Sequence, residues 1–201
     1  MDRIIVKGKF DKKINKKYYR FHAFHKSISI YMVILLGIAV LYMAISTTVR
    51  ANEEISSTTI IFTWVLASFT FLFAPVLMLM GINRNVSKES KIREDSVETV
   101  IITKAKIERK IEGKEGSLVF GWTTIDAAYE MEDMFLLYVN KDAAIVLGKE
   151  YFIEGDNETL RKMINYCMVP GKKGKIKFKS YLKKNKKNHK EITNNMEKLN
   201  D

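Results

Sequence analysis

The chain has 201 residues, 47% of them hydrophobic and 28% charged, and a formal net charge of +11. The single cysteine, Cys167, excludes an intramolecular disulfide and agrees with a reducing compartment. The positive excess lies in two arms, +7 over residues 1–26 and +8 over residues 171–201, around an acidic stretch of −4 over residues 85–170, which argues against a nucleic-acid binder and for an anionic lipid surface.

Residues 3–10, Arg-Ile-Ile-Val-Lys-Gly-Lys-Phe, read as a short strand. A lone strand is unstable, so it must join strands further along the chain. Asp11 is placed to cap a helix beginning at Lys12. Ile14, Tyr18, Phe21 and His25 follow at helical spacing, with Lys12, Lys13, Lys16, Lys17 and Arg20 around them. This pattern predicts an interfacial amphipathic helix, or an extension of the apolar helix that follows. Tyr18, Tyr19, Phe21 and Phe24 suit the headgroup zone.

Residues 27–49 carry no charge over 23 positions, and residues 55–83 none over 29. About 20 apolar residues cross a bilayer as a helix. A buried helix of a soluble domain usually shows a polar face. A signal peptide has a shorter apolar core and would not place Arg50 at its cleavage point. Both alternatives give way to a pair of transmembrane helices. The link Arg50-Ala51-Asn52-Glu53-Glu54 is short enough to force antiparallel neighbours. Hydroxyls of residues 56–59 can cap the second helix, and Pro75 is expected to bend it. No charged residue lies within either run, which disfavours a channel or pump.

Residues 1–26 carry nine Lys or Arg against two acids, and Arg84, Lys88, Lys91 and Arg93 follow the second run. Basic flanks stay in the cytoplasm, so a two-pass cell-membrane protein with both termini cytoplasmic is expected. The predicted contacts to anionic headgroups are Lys12, Lys13, Lys16, Lys17, Arg20, Lys26 and Arg84, at roughly 1 kcal/mol each.

Residues 85–95 are polar and extend the second helix briefly. Strands follow over residues 97–103 and 104–111, then a hairpin turn at residues 112–116 and a strand over 117–122. Residues 124–131 and 134–139 flank the acidic turn Glu132-Asp133, and residues 140–142 turn the chain into 143–147. This succession predicts an antiparallel meander. Asp156 caps a closing helix whose apolar face is Leu160, Met163, Ile164 and Cys167, and Pro170 and Gly171 end it. The Lys/Asn-rich residues 171–201 read as disordered or as a weak surface helix. The expected fold is therefore an α+β membrane protein. It has an N-terminal strand and helix (1–26), a hairpin of two helices (27–49 and 55–83), a β domain (85–170) and a basic tail (171–201).

Phe120-Gly121-Trp122-Thr123-Thr124-Ile125 through Glu130, Phe135-Leu136-Leu137-Tyr138-Val139, Ala144-Ile145-Val146-Leu147 and Leu160-Arg161 occur in this order. With Tyr19-Arg20-Phe21-x-x-Phe24-His25, this pattern resembles the YcxB-like family of small bacterial membrane proteins. The resemblance covers most of residues 1–170. It implies a cytoplasmic domain of pleckstrin-homology-like type and offers no catalytic residues to carry over. Where the family often has Pro-Lys, this chain has Gly148-Lys149.

No catalytic, cofactor-binding or metal-binding residue is predicted. His22 and His25 lack a third ligand and read as interfacial aromatics. Residues 171–175 lack the spacing of a phosphate loop. Glu130, Glu132, Asp133 and Asp142 read as solvated turn residues, and Trp122 as core. A non-catalytic binding or regulatory module with an unidentified protein partner is expected. A membrane-face enzyme is the alternative, and nucleic-acid contact through residues 171–190 a third reading.

Overall fold

The computed structural model describes residues 3–50, 55–93, 96–171 and 174–182. The predicted link at 51–54 and the tail from 183 onward, with His189, lie outside the described residues. In chain order the elements are β1 (Arg3–Lys9), α1 (Lys12–His25), α2 (Ile28–Val49), α3 (Ser57–Arg93), β2 (Val97–Thr103), β3 (Ile107–Ile111), β4 (Leu118–Phe120), β5 (Ala127–Glu130), β6 (Met134–Tyr138), β7 (Ala144–Gly148), β8 (Phe152–Glu154), α4 (Asn157–Cys167) and β9 (Phe178–Ser180).

The helices α2 and α3 are long and apolar enough to cross a membrane, and only 11% of the most apolar stretch of each is buried. Tyr31, Leu35, Phe62 and Leu72 are among the large side chains they expose. The helices pack as antiparallel neighbours. Small residues set the approach, with Ala44 and Ala67 buried and the Phe71 ring against Gly37. Polar contacts add to it: the Thr47 and Thr63 hydroxyls meet at 3.1 Å, and Trp64 Nε1 donates to Thr48 Oγ1 at 2.9 Å. Thr70 returns its hydroxyl to Leu66 O of its own helix. α3 runs through Pro75 as one helix of 37 residues and reaches Arg93, about 15 Å past the apolar run at 1.5 Å per residue.

The strands form two sheets, ordered β4-β3-β2-β1-β8 and β7-β6-β5-β9. β1 pairs antiparallel with β2, Arg3 opposite Thr103 and Lys9 opposite Val97, so the predicted N-terminal strand does join the downstream sheet. Period-two alternation divides the side chains between two cores. Ile4, Val6, Val100, Ile102, Phe135, Leu137, Ile145 and Leu147 point between the sheets, with Leu160, Met163 and Ile164 of α4 closing that core. Met134, Leu136 and Tyr138 point the other way, onto α1. Trp122 lies in the first core, its Nε1 donating to Thr103 O at 2.8 Å.

Several expectations are corrected. The single meander is two sheets, because residues 122–124 make a 3-10 turn after β4 that sends the chain to the other layer. The predicted strand over 104–111 begins at Ile107, since Thr103 Oγ1 accepts from Lys106 N and closes a turn. β8 and β9 were not foreseen. β8 completes the first sheet beside β1, and β9 runs parallel to β5 within the segment read as a disordered or helical tail. The amphipathic helix α1 does not offer its apolar face to lipid: Ile14, Tyr18 and Phe21 pack on the second sheet. Glu130 is not a solvated turn residue but is fully buried in β5.

Candidate functional site at the helix–sheet junction

Asp11 follows β1 and caps the start of α1. Its Oδ1 accepts from the backbone N–H of Lys13 and Ile14, satisfying two free donors at the helix start. Its Oδ2 accepts from the Tyr151 hydroxyl at 3.0 Å. The other long side of α1 meets the polar end of α3. There the Tyr19 phenol faces Glu89, and the Arg93 guanidinium lies 5.1 Å over the Phe10 ring. These contacts run in opposite directions along the two helices, so α1 stands antiparallel to α3 and is wedged between it and the second sheet.

At the top of this wedge Glu98 of β2 holds two arginines. Arg109 of β3 is bidentate at 2.6 and 2.9 Å, and Arg93 at the end of α3 donates to the same carboxylate. The cluster fixes the end of α3 to the first sheet. Beneath it is a cavity of about 310 Å³, lined by Lys9, Asp11, Asn15, Tyr19, Glu89, Arg93, Glu98, Arg109 and Asp142 among others. That volume is at the low end of small-molecule sites. Among the described residues, no three His, Cys, Asp or Glu are disposed to hold a metal ion. The acids here are largely engaged: Glu98 with arginines, Asp11 with a helix start and a phenol, with Glu89 facing Tyr19.

Tyr151 forms one wall through two glycines. A Cβ at Gly8 would lie 2.7 Å from its ring and one at Gly148 2.6 Å. Gly148 is thus required by the ring that follows it. Gly148→Ala should destabilise the domain by about 1–3 kcal/mol, the range for forcing atoms into a packed core. In a Tyr151→Ala background the same change should cost less, the remaining close contact being the flexible Cδ1 end of Ile14 at 2.9 Å. Thermal melts of the four-member cycle measure this, and equal costs in both backgrounds would refute the ring contact as the cause.

A second constellation lies inside the sandwich. The Glu130 carboxylate accepts from Lys149 Nζ at 2.8 Å and from Arg161 at 2.6 and 2.9 Å. Burial pushes its pKa up, but the Arg161 and Lys149 hydrogen bonds outweigh this and hold it below the usual carboxylate range. The alternation of β5 signals this placement, because Glu130 shares the parity of Ala128, which points into the core. The rings of Tyr129 and Tyr138 receive the Lys26 ammonium at 5.0 and 4.8 Å. His22 stacks on Tyr138, and burial lowers its pKa.

The residues predicted to touch headgroups are not gathered in one place. Lys26 is at the elbow between α1 and α2, held by the two tyrosines. Lys17 pairs with Asp133 of the sandwich. Lys12, Lys13 and Arg20 are exposed and Lys16 half-buried on α1. Lys12 stands about 20 Å along the helix from Lys26. Arg84 is exposed on α3, at the end of the apolar run. Sequence reasoning missed the Arg93–Glu98–Arg109 cluster, since nothing in spacing ties the end of a helix to two strands. Comparison with protein-family models, curated proteins and solved structures finds no match to this chain.

Proposed function

We propose that this chain is a membrane-anchored, non-catalytic binding or regulatory module, held by a two-pass hairpin with both termini and the β domain on the cytoplasmic side. The observation that carries the reading is the nearly unburied pair of apolar helices α2 and α3, joined to a domain that locks both of their polar ends. Exposed apolar surface of that extent needs a cover, and lipid is the cover that matches two adjacent helices of this length. The two-sheet sandwich closed by α4 supports a pleckstrin-homology-like domain. The quoted residues support a YcxB-like relationship, in which such a domain serves as a platform for a partner. Arg84, Arg20 and Lys26 lie nearest the apolar hairpin and are the best placed for anionic headgroups.

The enzyme alternative draws on the polar cavity at the junction. Its carboxylates Asp11 and Glu98 are tied to arginine, tyrosine and backbone partners, an arrangement suited to holding shape more than to proton transfer.

Topology tests the reading. With Cys167 replaced by serine, a cysteine at Asn52 should react with an impermeant maleimide added to intact cells. A cysteine at Ser96 should react only after lysis. The reverse pattern, or release of the protein by alkaline carbonate, would overturn the proposal.

A further inference from the structure

Past the apolar run, α3 carries Arg84, Lys88 and Lys91, at i, i+4 and i+7, all exposed. Among the described residues none of the three has an ion-pair partner. The buried stripe of this segment is Ile82, Val86 and Ser90. Arg84 and Lys88 each lie two residues beyond a member of it, about 200° round the helix. The one acid within α3, Glu89, lies about 100° or more round the helix from each of these cations. The result is a purely cationic face on the side of α3 away from its buried stripe. Below Arg84 the same face continues into exposed Met80, Leu77 and Phe73, with Phe73 stacked on Phe69 at 4.4 Å. Apolar and cationic parts form one strip along a single helix.

Resting on the membrane-spanning reading above, we propose that this strip docks a transmembrane helix of another integral membrane protein, one that continues into the cytoplasm as an acidic helical segment. Geometry favours this over lipid. The headgroup layer is about 5–7 Å thick on each side. Lys91 is eight residues beyond Asn83, about 12 Å up the helix, past the plane that lipid phosphates occupy. An upright acidic helix meets all three cations, whereas a flat lipid surface meets the first two. A second copy of this chain is disfavoured, since a two-fold contact would set like charges against each other.

The full-length protein in its native membrane supplies the test, with a benzophenone amino acid at Met80 or at Ser87. Both sites should cross-link to the same integral membrane protein. The adducts should map to one of its transmembrane helices and to the acidic residues directly following it. The triple reversal Arg84→Glu, Lys88→Glu, Lys91→Glu should cut the yield about tenfold or more. Reversing the mapped acids of the partner should restore it. An unchanged domain melting temperature in the triple variant would tie the loss to docking and not to folding. Adducts to lipid alone, to a second copy or to a soluble protein would each overturn the docking, as would a yield insensitive to charge reversal. Carbonate release would instead overturn the membrane-spanning reading on which it rests, so the two failures are distinguishable.

Discussion

Removing residues 1–10 should abolish cooperative folding of the β domain. β1 is an interior strand of the first sheet, flanked by β2 and β8, and its loss would strand β8 and leave β2 as an unpaired edge. Ile4 is fully buried and Val6 nearly so, both in the core between the sheets. Gly155, at φ +79°, brings its backbone so close that an added Cβ would lie 2.8 Å from Ile4 Cγ1. Burying two such side chains contributes about 3–6 kcal/mol, against a typical domain stability of about 5–15 kcal/mol. The deletion also removes the ladder to β2. A milder variant keeps the test readable: Ile4→Ala should cost about 2–5 kcal/mol. Denaturant melts in detergent measure both. If the deleted form melts cooperatively at the parent midpoint, β1 is an accessory to the sheet and not part of its core.

The second large effect belongs to the buried carboxylate. Arg161→Met should destabilise the domain by about 3 kcal/mol, because truncating one partner leaves a buried charge undercompensated. Lys149 remains on Glu130 Oε1, which keeps the loss at the low end of the usual range. Lys162→Met is the internal control. Its pair with Glu158 is exposed on both sides, and such pairs contribute about 0–1 kcal/mol. Similar losses for the two variants would contradict this account. The pH dependence has a definite sign. The Glu130 pKa is depressed in the folded state, so its contribution is fully present above the unfolded value, about 4.3, and is lost as pH falls through the lower folded value. Glu130→Gln should therefore flatten the fall in stability as pH drops below the unfolded value.

These two cases show what could be read from the sequence. Charge-free runs, the Asp11 and Asp156 caps and the β-branched stretch from Val97 are local signals, and the helices and β1, β2 and α4 follow them closely. The turn at residues 112–116 was equally visible through Gly113 and Gly116, both at positive φ. β8 and β9 were not, because three residues carry no usable periodicity and their pairing is decided by distant strands. The partner of α1 was misassigned for the same reason. A basic helix with an apolar stripe fits a lipid surface or a sheet equally well, and only the alternation in β6, apolar on both faces, hinted that another layer was needed. The junction cavity and the Arg93–Glu98–Arg109 cluster depend wholly on tertiary placement. Glu130 was legible in parity and overlooked because acidic residues are seldom fully buried.

The placement of β1 also bears on how the protein is made. β1 leaves the ribosome before either apolar helix, yet Arg3 pairs with Thr103 and Ile5 with Glu154. The first sheet therefore cannot close until the chain has been made as far as Glu154, about 150 residues beyond β1 and with both apolar helices in between. Through that interval Ile4, Ile5 and Val6 wait without partners, a long-range closure of the kind that folds slowly and exposes sticky chain. If the hairpin spans a membrane, as proposed above, a failed insertion that misplaces α2 and α3 would keep the strand from its neighbours. Quality control that removes chains with this segment uncovered would then discard mislocalised copies before any domain could act away from the membrane.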